Sequence, residues 1–212
     1  MTMVNIKFDH GQRSCQTGVM KPAVQQRTLK TRARLLGAAE EVVQAHGFEA
    51  LRVDQVVSLA GVAKGTFFAH FTDKDALMSQ LIGARINAAL DRIEAQPTPV
   101  DVDEIVQTLV PLMALMTHER YVFDVILRHS GAALVEDVGP IAETFGRFLT
   151  VIEGWLAGAP VRQDVPVAVL AEGVQAFFIQ AIALHFCALH SDVVMDARLT
   201  PWLRAWLVPQ GT

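Results

Sequence analysis

The sequence predicts an all-α fold, and three observations carry that prediction. Apolar residues recur at three- and four-residue spacing through most of the 212 positions. Glycine and proline fall between these stretches and punctuate them. Nothing in the second half alternates with a period of two over a useful length. Half of the residues (51%) are apolar, enough for the core of one or two domains.

Residues 1–28 show no hydrophobic periodicity and are expected to be a disordered arm, without the apolar stretch of a secretory signal. The basic residues at its end, Arg27, Lys30, Arg32 and Arg34, read equally as an arm lying along DNA and as a solvated tail. From Thr31 to His46, Leu35, Leu36, Ala39, Val42 and Val43 mark a first helix, with Gly47 as its cap and Phe48 packing back on it. Val53, Val56, Val57 and Ala60 mark a short second helix that Gly61 ends. A third begins near Ala63 and carries Lys64, Gly65 and Thr66 in its first turn, with Phe67 and Phe71 turned inward. Residues 52–71 thus have the build of a helix-turn-helix, whose second helix sets its first turn against base edges in the major groove. Thr72 to Asp75 is a capping-box pattern that starts a fourth helix through Leu77, Leu81, Ile82, Ile86 and Ile93. Two prolines in Gln96-Pro97-Thr98-Pro99 then break helical hydrogen bonding, and the boundary between 29–94 and 95–212 is placed there.

Asp101 and Glu104 restart a helix with the same capping logic, carrying Ile105, Leu109, Leu112, Met113 and Met116. Further helices are expected over Arg120–Ser130 and from Gly139–Pro140 to about Leu156, where Gly158-Ala159-Pro160 stops the chain. Residues 165–190 make the longest helical pattern, and Gly173 to Leu189 hold no charged residue. Those 17 residues fall short of the roughly 20 that a membrane span needs, and they include Gln175, Gln180 and His185. The segment reads as a helix covered on both sides, by its own domain and by a partner chain, with no membrane involved. Leu199 to Leu207, with Trp202 and Trp206 four apart, form a last amphipathic helix.

The formal net charge of −4 is unevenly spread. Residues 1–90 hold 11 Lys and Arg against 7 Asp and Glu (+4), and residues 91–212 hold 7 against 15 (−8). A cationic front and an acidic back are what a chain needs if only its front meets phosphate. Cys15 and Cys187 are too few for a disulfide framework and suit a reducing cytoplasm, with Cys187 a small buried apolar residue. No glycine-rich phosphate loop, nucleophile elbow or metal-spaced His pair occurs, and His185 and His190, five apart on one helix, diverge. No enzyme, metal or cofactor is indicated.

Gly47–Phe48, AGVAKGTFFAHF at 60–71 and Asp73-Lys74-Asp75-Ala76-Leu77 together closely resemble the DNA-binding domain of the tetracycline-repressor-like (TetR) family, over about residues 29–89. The resemblance implies DNA contacts at matching positions: Lys64 to a guanine edge or phosphate, Gly65 for close backbone approach, Thr66 to phosphate or a thymine methyl, and Lys74 to phosphate. Three positions depart from the family's usual residues. Phe68 stands for a tyrosine and either touches DNA or packs on the scaffold; Ala63 stands for a serine that would cap the helix; Arg52 stands for a threonine cap and adds a possible phosphate contact. His70 matches the family's polar ring near the helix end, where a phosphate contact is expected.

The resemblance further implies a cytoplasmic homodimeric repressor, paired through residues 165–190 and 196–208, on a two-fold site with half-sites about 34–36 Å apart. It implies a small-molecule effector held in the second half that lowers affinity for DNA. Met113, Met116, Phe123, Phe145, Phe148, Phe177 and Phe178 are the candidate walls of such a cavity, although each also suits an ordinary core. The scarcity of Lys and Arg among them suggests a neutral or apolar effector. Two other readings stay open: a helical protein-interaction module with weakened DNA reading, and, last, a helical enzyme.

Overall fold

The computed structural model describes residues 22–131, 138–190 and 192–209, and within them the chain forms nine helices and no strand. These are α1 (Pro22–His46), α2 (Val53–Ala60), α3 (Lys64–Phe68), α4 (Lys74–Glu94), α5 (Val102–Thr117), α6 (Arg120–His129), α7 (Pro140–Leu156), α8 (Val167–His185) and α9 (Met195–Leu207).

Most boundaries fall where local chemistry puts them. Gly47 and Gly61 sit at φ 84° and 62°, in the left-handed region that a Cβ disfavours, and end α1 and α2. The Asp101 carboxylate accepts from the Glu104 amide at 2.9 Å, while the Glu104 carboxylate reaches back to the Val100 amide at 3.0 Å. α4 differs by one position. Its cap is Asp73 rather than Thr72, because the Asp73 carboxylate accepts from the Ala76 amide at 2.8 Å.

α1 begins at Pro22, inside the stretch 1–28 expected to be a disordered arm. Proline suits a first helical position because the N–H it lacks has no intrahelical partner there. Residues 1–21, Cys15 among them, lie outside the described residues. α1 with 25 residues and α4 with 21 are both longer than α8 with 19, so the segment 165–190 is not the longest helix.

α2 packs on α1, and α3 packs on α2. α4 lies against α5, α6 and α7, and also touches α1. Its buried stripe, from Leu77 through Leu81, Ile86 and Leu90 to Ile93, belongs to one continuous core. α8 packs between α7 and α9, with α5 also in contact. The inner face of α8 is Leu170, Ala171, Val174, Phe178, Ala181 and Ile182. Its other face is not covered by the described residues: Val169 is 43% exposed, and Ala176 and Gln180 are open to solvent. α8 is the one described helix long and apolar enough to cross a membrane, with about a third of its most apolar window buried (33%).

Trp206 of α9 locks onto α8. Its indole N–H donates to the Leu170 carbonyl at 3.0 Å, and its ring meets Phe177 edge-on, with centroids 6.0 Å apart. The ring lies directly over Gly173, where a Cβ would stand closer to the indole than any real carbon contact. Gly173→Ala is therefore expected to cost about 1–3 kcal/mol by overpacking. That corresponds to a Tm lower by at least roughly 2 °C in differential scanning calorimetry. Gly65→Ala, whose added methyl meets nothing within 4 Å, leaves Tm unchanged or higher.

Candidate nucleic-acid interface

α3 has five residues, too few to hold a helix by its own hydrogen bonds. It carries no side-chain cap at Ala63, as the missing serine implies. Tertiary contacts hold it instead. Phe67 is fully buried and packs against Phe71, with ring centroids 5.5 Å apart. The turn before α3 is closed by the Val62 amide donating to Val57 O at 3.0 Å.

Two arginines of α1 hold the ends of both helices. The Arg34 guanidinium donates to the carbonyls of Ala60 and Gly61 at the C-terminus of α2. Arg32 donates to the His70 carbonyl at 2.9 Å, just beyond α3, and lies over the Phe71 ring at 4.4 Å. Cations at carbonyl ends are favoured twice, by hydrogen bonding and by the helix dipole. The sequence placed these two side chains in a DNA-contacting or solvated arm; in the structure both staple the helix-turn-helix. Arg27 and Lys30, farther up α1, are exposed.

The outward surface of α3 consists of Lys64, Gly65 and Phe68, with Thr66 half-buried. Gly65 has nothing near the position a Cβ would take, so its backbone is open to close approach. Phe68 is 51% exposed yet sits edge-on to Phe67 at 5.3 Å, so one face of the ring is held and the other is presented. His70 is half-buried beside it.

The three candidate cations all have partners in the free chain. Lys64 pairs with Asp54 of α2 at 2.8 Å. Arg52 donates to the carbonyls of Glu49 and Leu51, and its own amide donates to Gln55 Oε1 at 2.9 Å, but no side chain caps the first amides of α2 as a threonine would. Lys74 donates to Glu49 O at 3.3 Å and lies over the Tyr121 ring at 4.6 Å. Burial first, and the neighbouring Arg52 guanidinium second, pull the Lys74 ammonium below the ordinary lysine value.

Residues of the second half build the other side of this corner, and no local pattern pointed to them. The Glu119 carboxylate, just before α6, accepts from the amides of Phe48 and Glu49, each at 2.9 Å. Tyr121 donates to Asp75 Oδ1 at 2.7 Å, and Arg128 pairs with the other oxygen of Asp75 at 2.9 Å. Burial and the bond to Asp75 push the Tyr121 phenol well above its ordinary value. A raised acid pKa favours the folded chain below the unfolded value of about 10, and this contribution is lost only at more alkaline pH. Arg85 of α4 adds a further link, pairing with Glu40 of α1 at 2.7 Å and lying over the Phe48 ring at 4.6 Å.

Farther back, Ile86, Leu112, Met116, Thr144, Phe145, Phe148, Gln175 and Phe178 surround a cavity of about 10 Å³ between α4, α5, α7 and α8. It has room for about one water. Four of the seven candidate wall residues meet here: Met116, Phe145, Phe148 and Phe178. Met113 instead borders a surface groove with Val194 and Met195, Phe123 stacks on Phe186 at 5.4 Å, and Phe177 packs against Trp202 and Trp206. The two polar residues lining the cavity were not foreseen: Thr144 donates to Ile141 O and Gln175 to Phe145 O. No group of three or more His, Cys, Asp or Glu able to hold a metal occurs among the described residues.

Residues 35–81 match the family model described as bacterial regulatory proteins, tetR family. Over 104 residues the chain is 28% identical to YvdT of Bacillus subtilis, an uncharacterized HTH-type transcriptional regulator, covering 48% of this chain and 52% of that protein. It is 29% identical over 91 residues to UidR of Escherichia coli, also an HTH-type transcriptional regulator, covering 43% and 45%. The chain thus matches about half the length of these curated relatives, which are regulators rather than enzymes. Among solved structures, Thermus thermophilus FadR, a TetR-family repressor in complex with lauroyl-CoA, superposes with a TM-score of 0.61 at 17% identity, covering 85% of this chain and 97% of that one. A regulator from Saccharomonospora viridis in complex with choline does so at 0.58 and 17%, covering 86% and 100%. At these identities the likeness is one of fold.

Arg34→Ala removes the donor to two carbonyls at the end of α2. A loss of about 1 kcal/mol is expected, read as a Tm lower by roughly 2–4 °C. Lys30→Ala, at an exposed position on the same helix, leaves Tm unchanged within error.

Proposed function

We propose that this chain, which carries the DNA-binding helices of the TetR family of bacterial regulatory proteins, is a cytoplasmic homodimeric repressor released from a two-fold operator by a small neutral or apolar effector. The observation that carries this reading is the surface of α3. Lys64, Gly65, part of Thr66 and half of Phe68 stand outward on a helix held from behind by Phe67 and Arg32, while Arg34 holds the end of α2 before it. Arg52, His70 and Lys74 flank it, within reach of phosphates if Arg52 and Lys74 exchange their carbonyl partners for DNA. In this reading residues 29–94 are the reading head, and 95–212 hold the effector and pair the subunits.

The uncovered face of α8, with α9 beside it, is the surface we assign to the partner copy. Burying it there, rather than in a membrane, leaves Gln180 at a protein interface instead of in hydrocarbon. Half-sites about 34–36 Å apart would then present successive major-groove faces to the two heads.

The cavity between α4, α5, α7 and α8 is the proposed effector site, and no charged side chain lines it. A ligand must push its apolar walls apart, and Met116 is the most adaptable of them. From Met116 the chain runs three residues to Glu119, whose carboxylate holds the corner between α1 and α2. The effector lowers DNA affinity only if it binds better to the arrangement in which that corner has shifted.

The direct test is fluorescence anisotropy on the DNA upstream of the chain's own gene, at two salt concentrations, beside a scrambled duplex. The native duplex is expected to bind more tightly, with affinity falling steeply in salt. Lys64→Ala is expected to cost about 1–3 kcal/mol on the native duplex. Equal, weak binding to both duplexes and to fragments spanning the genome would remove the proposal. For the corner, Glu119→Ala leaves the Phe48 and Glu49 amides without their acceptor. They are expected to exchange with deuterium well before the core of α4, and the effector-induced loss of DNA affinity is expected to shrink. Unchanged exchange at those amides would show that Glu119 holds nothing.

A further inference from the structure

Lys64 is the one Lys or Arg in α3, and in the free chain a carboxylate holds it. Asp54 Oδ1 lies 2.8 Å from its ammonium, with the two side chains 57% (Lys64) and 75% (Asp54) exposed. Asp54 sits in the first turn of α2, where the positive end of the helix dipole favours an anion, so its own helix also stabilises the carboxylate. The neighbouring cations differ in this respect. Arg52 and Lys74 both donate to the neutral Glu49 carbonyl, and among the described residues neither touches a carboxylate directly, although Asp75, Glu49 and Glu119 act on Lys74 from farther off. At the tip of the helix-turn-helix, the direct ion pair therefore lies at the base-reading position and not at the flanks.

An acid on a surface that approaches DNA has a definite effect. It repels phosphate whatever the sequence, so it weakens non-specific binding, which is almost wholly electrostatic. It also sets a threshold for Lys64. A phosphate on a flexible approach must compete with a carboxylate already in contact, whereas the O6 and N7 atoms of a correctly placed guanine add a geometric match that phosphate lacks. An ammonium has three donors, so Lys64 can keep Asp54 on one proton and use the others on a base edge.

We propose that Asp54 is a specificity-determining residue: by holding Lys64, it keeps that side chain from indiscriminate phosphate contact and reserves it for a guanine edge in the operator. This rests on α3 being the base-contacting helix. Asp54 acts through Lys64 and through repulsion of the backbone, so its removal should raise affinity where affinity is unwanted.

The experiment begins with selection by the full-length chain from a pool of 30-base-pair duplexes with a randomised core. Affinities for the enriched sequence and for the unselected pool are then measured across a salt series, for the wild type, Asp54→Asn, Lys64→Ala and the double variant. Asp54→Asn is expected to bind the unselected pool about 5-fold tighter and the enriched sequence at most about 2-fold tighter, with a salt slope on the pool steeper by about one. In the Lys64→Ala background the steepening is expected to vanish, since no ammonium is freed. Tm is expected to stay within error of the wild type, as the pair is exposed.

If the wild type enriches a sequence but Asp54→Asn binds pool and enriched site as the wild type does, the role of Asp54 is overturned while the DNA-reading function stands. If Asp54→Asn weakens binding to the enriched site and leaves the pool unchanged, the carboxylate touches a base itself, and the proposal is likewise overturned. If the wild type enriches nothing, the regulator reading falls and this proposal with it.

Discussion

A helix of five residues can make hardly any of the i to i−4 hydrogen bonds that hold a helix together, and α3 is such a helix. Its existence depends on burial of Phe67 and on the chain around it being fixed. The structure supplies that support from a distance in sequence. Arg34 reaches 26 residues ahead to Ala60, and Arg32 reaches 38 ahead to His70, so one helix clamps the carbonyl ends of the next two. The outer face of α3 is thereby free of structural duty. Gly65 can stay without a side chain, and Lys64 and Phe68 can stay largely exposed, because the helix is held from its other side.

The same dependence ties the head to the second half. The corner at Phe48 and Glu49 has two amides that α1 and α2 do not satisfy, and the carboxylate that satisfies them belongs to Glu119, about 70 residues away. Glu49 O in turn accepts from both Arg52 and Lys74. A displacement at the end of α5 would therefore reach the corner through hydrogen bonds as well as through packing. Ile86 and Met116, which border the cavity between α4, α5, α7 and α8, also border a second small void against Phe48 and Val122. The apolar route and the polar route from cavity to corner thus run side by side.

Local punctuation was legible in the sequence, and its misreadings are instructive. Gly61, Asp101 and Gly158-Ala159-Pro160 stop or start helices for reasons contained within a few residues. At Thr72-Asp73 two adjacent capping residues competed, and Asp73 is the one whose oxygen reaches the Ala76 amide. Pro22 was legible as a first helical position only if the polar stretch after it was allowed to be helical, as its lack of breakers permits. Phe177 and Phe178 were grouped as cavity walls, but neighbours on a helix point about 100° apart. Phe178 faces the core, and Phe177 faces the tryptophans of α9.

The sequence alone determined the helices, the tight turn at Gly61, the inward phenylalanines of the third helix and the segregation of charge, because each follows from spacing or from the conformational range of single residues. It also determined which outward residues α3 would show. Tertiary structure decided the partners of the charged side chains. Arg32 and Arg34 became staples, Lys64 acquired Asp54, Lys74 acquired Tyr121, and Glu119 acquired the amides of a corner it never approaches in sequence. A long charged side chain takes whichever carbonyl, ring or opposite charge the packed helices bring within reach, and only the packing of α1, α4 and α6 fixes which one that is.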